Sequence, residues 1–355
     1  MTNTSEINKK QDIRFLSQEE LKNFFIEKNE KAFRAKQVWE WLWKKSAHSF
    51  DEMTNVSLAT REMLRENFIF ETAKPEIINI SKDKTIKTAF RFRNEHIAEG
   101  VLIPAENRMT ACVSSQVGCS LGCKFCATGK LGFTRNLLFD EIYDQVAIIG
   151  KQAQEHYQHH LTNIVFMGMG EPLLNYENLL KAIDRITSPD GLNMSPSRIT
   201  VSTVGLVKMI KKLGDDNVKF NLALSLHAAN DKKRNQIIPA NEQNSMSKLA
   251  EALKYFYEKT GTRITLEYLI LDRFNDSIAD AKELAEFCKN FPCKINIIEY
   301  NPIAGSEFGK SREISVKGFA GYLETKNLIV NIRKSRGEDI DAACGQLAGK
   351  LKNKS

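Results

Sequence analysis

The spacing of apolar residues changes twice along the chain. Near the amino terminus they recur at helical intervals. Ser17-Gln18-Glu19-Glu20 forms a capping box, and Leu21, Phe24 and Phe25 follow on one face, so a helix is predicted there. A second helix is predicted over 34–45 and a third over 57–70. The second carries Trp39, Trp41 and Trp43. Their spacing of two keeps the three off one helical face, which admits one at an interface between domains or with a partner, although ordinary packing is the favoured reading. Over 76–104 the apolar runs shorten and are broken at Lys82-Asp83-Lys84 and Asn94-Glu95. Strands at 77–80, 86–92 and 98–103 are predicted to form a small antiparallel meander.

From about Met109 strand-like runs alternate with amphipathic helices. Strands are predicted at 110–114, 163–167, 198–202, 220–226, 264–271 and 294–300, and helices at 140–155, 176–186, 207–213, 247–259, 277–289 and 316–325. Six such units predict an α/β chain whose parallel sheet curls into a partial (β/α)6 barrel of TIM type. The domain reading is a helical accessory domain over 1–72, a β extension over 73–108, the barrel over 109–335, and a carboxy-terminal segment over 336–355. In such barrels the active site lies at the carboxyl ends of the strands. The chemistry-bearing motifs fall there. A cysteine run follows the first strand and Gly168-Met169-Gly170-Glu171-Pro172 the second. Ser202-Thr203, Ser225-Leu226-His227 and Asn301-Pro302 end the third, fourth and sixth.

The cysteine run narrows the chemistry most. Cys119, Cys123 and Cys126 stand at Cys-x3-Cys-x2-Cys. Three thiolates at this spacing hold three irons of a 4Fe–4S cluster and leave the fourth iron open to a small molecule. Structural zinc sites close with four ligands, and ferredoxin clusters use four cysteines at other spacings. The cysteine count is seven, an odd number with three in one motif, which argues against a secreted disulfide scaffold. Cys288 and Cys293 match no motif and read as packing residues; His156, His159 and His160 read as solvated.

Composition adds bounds. The chain has 355 residues, 42% apolar and 27% charged, an ordinary soluble composition. The net charge of +7 suits a polyanionic partner such as RNA as well as a merely soluble surface. No run approaches the ~20 apolar residues of a membrane span, and Met1-Thr2-Asn3-Thr4-Ser5-Glu6 lacks a leader's basic and apolar regions, so a cytoplasmic protein with no membrane partner is expected.

The loop after the first strand, with Gly-Glu-Pro after the second, resembles the radical S-adenosylmethionine (SAM) enzymes. Four motifs together resemble the RlmN family across 14–348. They are Ala111-Cys112-Val113-Ser114-Ser115-Gln116-Val117-Gly118-Cys119, Met167-Gly168-Met169-Gly170-Glu171-Pro172-Leu173, Ser225-Leu226-His227-Ala228 and Asp341-Ala342-Ala343-Cys344-Gly345-Gln346-Leu347. The resemblance implies methylation of carbon 2 of an adenosine in 23S rRNA, and in some members of tRNA. That carbon lies between two ring nitrogens and is electron-poor, so it cannot attack an electrophilic methyl group, whereas a carbon radical can add to it.

The resemblance also implies roles. Cys119, Cys123 and Cys126 ligate the 4Fe–4S cluster, whose open iron binds SAM. Gly170 and Glu171 hold the SAM amino end, and Ser202, Ser225, Leu226, His227 and Asn301 contact the rest. Cys344 takes a methyl group from one SAM, and a 5′-deoxyadenosyl radical from a second removes hydrogen from it. The resulting carbon radical adds to adenine. Glu99 accepts the carbon 2 proton. Cys112 then attacks the Cys344 sulfur, releasing methylated RNA and leaving a disulfide for cellular thiols to reduce. An external electron donor, such as a flavodoxin or ferredoxin system, is implied, and a monomer is the default. The target base has to leave its stack to reach such a site. Arg333, Lys334, Arg336, Lys124, Lys130 and Arg135 are candidate phosphate contacts, and the helical domain is a candidate RNA-binding element. Two other readings remain: the related enzyme type that methylates carbon 8 and gives antibiotic resistance, and a non-catalytic iron–sulfur RNA-binding protein or electron carrier, which needs neither Cys344 nor a SAM pocket.

Overall fold

In the computed structural model of the chain, residues 10–349 are described; the Met1–Glu6 run and the outer ends of the two terminal ranges lie outside the described residues. The amino-terminal part contains β1 (Gln11–Asp12), α1 (Gln18–Glu27), α2 (Phe33–Trp43), α3 (Leu58–Asn67) and β2 (Phe68–Ile69). The capping box forms: Ser17 Oγ accepts the Glu20 N–H, and the Glu20 carboxylate accepts the Ser17 N–H at 2.6 Å. Helix α3 stops short of the predicted end because Phe68 and Ile69 turn extended and pair with β1.

The tryptophans divide as their spacing requires. Trp39 and Trp43, one turn apart, are buried. Trp43 lies edge-on to Tyr143 and beside Phe139, and the Tyr143 hydroxyl donates to the Trp43 carbonyl. Both rings also lie under the guanidinium of Arg185, so Trp39 and Trp43 together pack the helical part against the barrel. An ionic network joins the same two parts. Buried Arg14 reaches Asp140 and Asp144 at 2.8 Å each, and Arg93 bridges Asp140 and Asp12. Buried charges persist only when paired this closely.

The main sheet begins with β3 (Lys74–Ile80), β4 (Ile86–Arg91), β5 (Ile97–Ala105) and β6 (Arg108–Cys112), each antiparallel to the next. A hairpin follows: β7 (Gln116–Cys119), short α4 (Ala127–Lys130) and β8 (Gly132–Asn136), which frames the cysteine loop. Gly118 is needed there. Its φ is +74°, and an added Cβ would sit 1.9 Å from the Gly132 carbonyl oxygen.

The barrel then runs α5 (Phe139–Tyr157), β9 (Asn163–Phe166), α6 (Tyr176–Thr187), β10 (Ile199–Thr203), α7 (Val207–Asp215), β11 (Asn221–Ser225), α8 (Asp231–Ile237), α9 (Met246–Thr260), β12 (Ile264–Ile270), α10 (Ile278–Phe287), β13 (Cys293–Glu299), α11 (Glu313–Glu324) and β14 (Val330–Arg333). The sheet order is β14-β13-β12-β11-β10-β9-β6-β5-β4-β3, parallel from β6 to β14. Parallel strands covered on both faces read as continuous apolar runs, and β12 is buried at every position.

All six predicted parallel strands form. Strand β14 adds a seventh, which the hydropathy pattern does not predict. It has four residues, two of them polar, and as an edge strand leaves Asn331 and Ile332 exposed. Helix α8 is also unpredicted. It spans seven residues, and the Asn230 side chain caps it by accepting the Lys233 N–H at 2.8 Å. Among the described residues no helix is long and apolar enough to cross a membrane.

Candidate active site

The carboxyl ends of the parallel strands open into one cavity of about 220 Å³. Cys112, Cys119, Cys123, Cys126, Gly170, Glu171, Ser202, Ser225, His227, Asn301 and Cys344 all line it. Two of the predicted site residues do not. Leu226 is buried beneath the wall, and Glu99 lies on β5, next to β6.

The cysteine loop is held from below. The Lys124 N–H donates to the Ile237 carbonyl at the end of α8, and Leu121, Cys123 and Phe125 pack on Val204, Ile237 and Ile238. Burial pushes the Cys119 thiol up to about 11 and raises Cys123 further; Cys126 and Glu171 nearby add to both shifts. Bare thiolates are therefore unfavourable here, and a cationic iron centre would relieve them.

Around the loop the strand ends supply polar atoms at fixed positions. Gly170 has φ +99°, and a Cβ there would lie 2.5 Å from Gln116, so only glycine makes this turn. The Gln116 side-chain oxygen accepts the Glu171 N–H at 2.9 Å. The Glu171 carboxylate accepts from Leu173 N at 3.1 Å and Val204 N at 2.8 Å, while burial pushes it up to about 7. Ser202 and Ser225 hydroxyls meet at 3.2 Å. Asn301 is buried, and its Oδ1 has no partner among the described residues, an open acceptor that a bound polar molecule would satisfy.

His227 has a left-handed backbone, φ +57°, and its Nδ1 accepts the Leu269 N–H at 3.0 Å. Burial, with Arg234 nearby, drives its pKa down to about 3, so the ring is neutral and its proton sits on Nε2. Its ring stands edge-on to Phe125, 4.7 Å between centroids, bracing the cysteine loop. This histidine shapes the wall and is no acid at ordinary pH.

Cys112 ends β6, and Cys344 reaches the same cavity from the carboxy-terminal segment. Both thiols are free. Burial raises both, Cys112 to about 12 with Cys344 adding to the shift; Arg333 opposes the rise in each. Cys344 is exposed at the cavity, so a small reactant can reach it.

The Glu99 carboxylate is engaged elsewhere. Its Oε2 accepts the N–H groups of Ala348 at 2.8 Å and Gly349 at 3.2 Å, and its Oε1 lies 3.4 Å from Lys87 Nζ. Two further bonds hold that segment: Thr128 Oγ1 donates to the Leu347 carbonyl at 2.6 Å, and the Ala127 N–H to the Gly345 carbonyl at 2.7 Å.

The predicted phosphate contacts scatter. Lys334 and Arg336 line the cavity and are exposed. Arg135 is spent on Glu141 at 2.7 Å, and Lys130 donates to the Ala304 and Gly305 carbonyls.

Local patterning gives no sign of Arg234. Fully buried on α8, it donates to the carbonyls of Val204, Ser225 and Leu226 and to Asn241, stitching the ends of β10 and β11 together. Leu226 thus contributes its carbonyl to the wall's support. Glu267 and Arg333, which also line the cavity, carry no motif either.

A parallel-sheet barrel with a three-cysteine loop at the mouth of its first strand defines the class. The model of the Radical SAM superfamily matches residues 113–288, and that of the ribosomal RNA large subunit methyltransferase N-terminal domain matches 12–70. The class implies a 4Fe–4S cluster and SAM. A crystal structure of a radical SAM methyltransferase from Sphaerobacter thermophilus superposes with TM-score 0.91 at 37% identity, covering 96% of this chain and 100% of that one.

The particular family follows from whole-length relatives. A probable dual-specificity RNA methyltransferase RlmN of Cytophaga hutchinsonii is 58% identical over 98% of this chain and 95% of its own. The dual-specificity RNA methyltransferase RlmN of Geobacter sulfurreducens is 42% identical over 96% and 92%. The chain belongs to the RlmN family of radical SAM RNA methyltransferases.

Proposed function

We propose that the protein methylates carbon 2 of an adenosine in 23S rRNA, with tRNA as a second substrate, through a methyl group carried on Cys344. The observation that carries this reading is the meeting of Cys112 and Cys344 in the cavity that Cys119, Cys123 and Cys126 also line. When bound, the cluster and SAM supply an electrophilic methyl group and the means to abstract a hydrogen atom.

The chain's own residues do the rest. Cys119, Cys123 and Cys126 hold the cluster. Gly170 and Glu171 receive the SAM amino end. Ser202, Ser225 and Asn301 offer hydroxyl and amide partners, and His227, with Leu226 beneath, shapes the wall. Cys344 acts as the nucleophile for the methyl group, since its thiolate is a good one. Glu99 takes the proton from carbon 2, which requires it first to release Ala348 and Gly349. Cys112 attacks the Cys344 sulfur. A sulfur–sulfur bond forms as the sulfur–carbon bond breaks; the departing carbon keeps the bonding pair and takes a proton to become the methyl group, and external thiols reduce the disulfide.

The helical unit over 1–72, the β extension over 73–108, the barrel over 109–335 and the segment over 336–355 divide this work: RNA binding, support of Cys112, radical chemistry and methyl carriage. We place the protein in the cytoplasm as a monomer, with a flavodoxin or ferredoxin system as electron donor, because an exposed cluster needs a reducing compartment.

The test is anaerobic. The cluster-loaded protein is given SAM, reductant and a 23S rRNA fragment or tRNA, and the digested nucleosides are identified by mass spectrometry. 2-Methyladenosine is expected. 8-Methyladenosine, or SAM cleavage without methylated RNA, would overturn the reading.

A further inference from the structure

The carboxylate of Glu99 has a second kind of partner besides the carboxy-terminal segment. On β4 and β5, Lys87 pairs with Val101 and Glu99 with Ala89, so Lys87 and Glu99 stand diagonally on the same face of the antiparallel pair. Lys87 Nζ lies 3.4 Å from Glu99 Oε1, and both side chains are buried. Lysine is seldom buried unless it is paired. Among the described residues Lys87 is the only basic side chain that forms an ion pair with this carboxylate.

The same ammonium donates to the Asp341 carbonyl at 3.2 Å. Asp341 opens the stretch that leads to Cys344, and its backbone is left-handed there, φ +53°. The other oxygen of Glu99 holds Ala348 and Gly349, beyond Cys344. One ion pair on the meander therefore grips the Cys344 loop on both sides, Lys87 before the cysteine and Glu99 after it. The backbone beneath this grip is anchored. Ser114 Oγ donates to the Glu99 carbonyl at 2.6 Å, and the Glu99 N–H donates to Met169 Sδ at 3.4 Å. A change of partner at Glu99 is thus a movement of its side chain.

We propose that Lys87 is a positioning residue with two tasks. With Glu99 it clasps the loop that carries Cys344, and it remains the counter-charge that holds the Glu99 carboxylate in place once Ala348 and Gly349 let go. A buried carboxylate that lost both N–H donors and had no cation would be left unpaired, which is costly. The second task rests on the reading of Glu99 as the base for carbon 2; the first does not.

The experiment compares the parent with Lys87→Met, which keeps the length without the charge, and Lys87→Arg, which keeps the charge. All are cluster-loaded and anaerobic, and parent-like cluster absorbance and tryptophan fluorescence show that each is folded; Lys87→Gln replaces the methionine variant if that one does not fold. The clasp is read first, without SAM or RNA, by hydrogen exchange of the peptide that carries Cys344. Exchange between Ala342 and Gly349 should be about tenfold faster in Lys87→Met and close to the parent in Lys87→Arg. Methylation of a 23S rRNA fragment is read second. Lys87→Met should lower kcat roughly 100-fold while the KM for RNA stays within about threefold. Lys87→Arg should return kcat to within about tenfold of the parent. Parent-like exchange and kcat in Lys87→Met overturn the proposal. So does an arginine variant as impaired as the methionine one, since the cation would then not matter. A loss confined to KM overturns it too and makes Lys87 an RNA contact. Lower kcat with parent-like exchange overturns the clasp, and faster exchange with unchanged kcat overturns the second task. Parent-level methylation by Glu99→Gln, beside a loosened loop in Lys87→Met, would instead tell against the base reading and leave the clasp standing.

Discussion

The carboxylate of Glu99 accepts the backbone N–H of Ala348 at 2.8 Å, tying the antiparallel meander to the segment that carries Cys344. One side chain thus has two duties that exclude each other in time. It latches the segment, and in the proposed reaction it takes a proton from the substrate.

Two variants separate these duties. Glu99→Gln keeps an acceptor oxygen for Ala348 but cannot serve as a base. It should preserve slow hydrogen exchange at Ala348 and Gly349 while methylation falls by roughly 100-fold or more. Glu99→Ala should lose both. Parent-level methylation in the glutamine variant would remove Glu99 from the chemistry.

The two cysteines should fail at different stages. Cys344→Ala should abolish methylation while the visible absorbance of the cluster stays unchanged. Cys112→Ala should accumulate a covalent protein–RNA adduct, seen as a shifted band on a denaturing gel. Free methylated RNA released by the Cys112 variant at the parent rate would sink its resolving role.

Glu171 should make SAM binding depend on pH. Burial raises its carboxyl from 4.5 to about 7. Below 4.5 it is neutral in folded and unfolded chains alike, so the stability that comes from burying the neutral form is fully present at low pH and fades as pH rises through 7. In the proposed contact it is the ionised form that pairs with the SAM ammonium. Affinity for SAM should therefore rise severalfold between about pH 6 and 8, measured calorimetrically, and Glu171→Gln should flatten that dependence. A parent affinity independent of pH over this range would contradict the contact.

Arg14 ties the helical unit to the barrel through Asp140 and Asp144, with all three side chains buried. Arg14→Ala leaves two buried carboxylates short of their cation and should cost about 3–5 kcal/mol. Denaturant unfolding followed by tryptophan fluorescence reads this directly, because Trp43 sits at the same junction. A loss below about 1 kcal/mol would mean that solvent or Arg93 compensates.

Much of the site is legible in the chain because its signals are local. Cys119, Cys123 and Cys126 lie in one loop, and Gly170 and Glu171 in another. The 3.6 and 2.0 periods place those loops after strands without any knowledge of the fold. Long, strongly patterned elements such as α5 and β12 are found for the same reason. Short ones escape. Strand β14 has four residues with half of them polar, and α8 has seven. Arg234 and Glu267 look like any other charged residue until the fold buries them.

By itself the sequence determined the alternating α/β order and the place of the three-cysteine loop after its first strand, since periodicity and short motifs survive without tertiary context; Cys112 and Cys344 stand out only through the family resemblance. Only the tertiary structure decided that Glu99 grips Ala348, that Arg234 joins two strand ends, and that Arg333 comes within 3.6 Å of Glu267. Those contacts join segments far apart in the chain. They depend on strand register and on which charges become desolvated together, which no local pattern encodes.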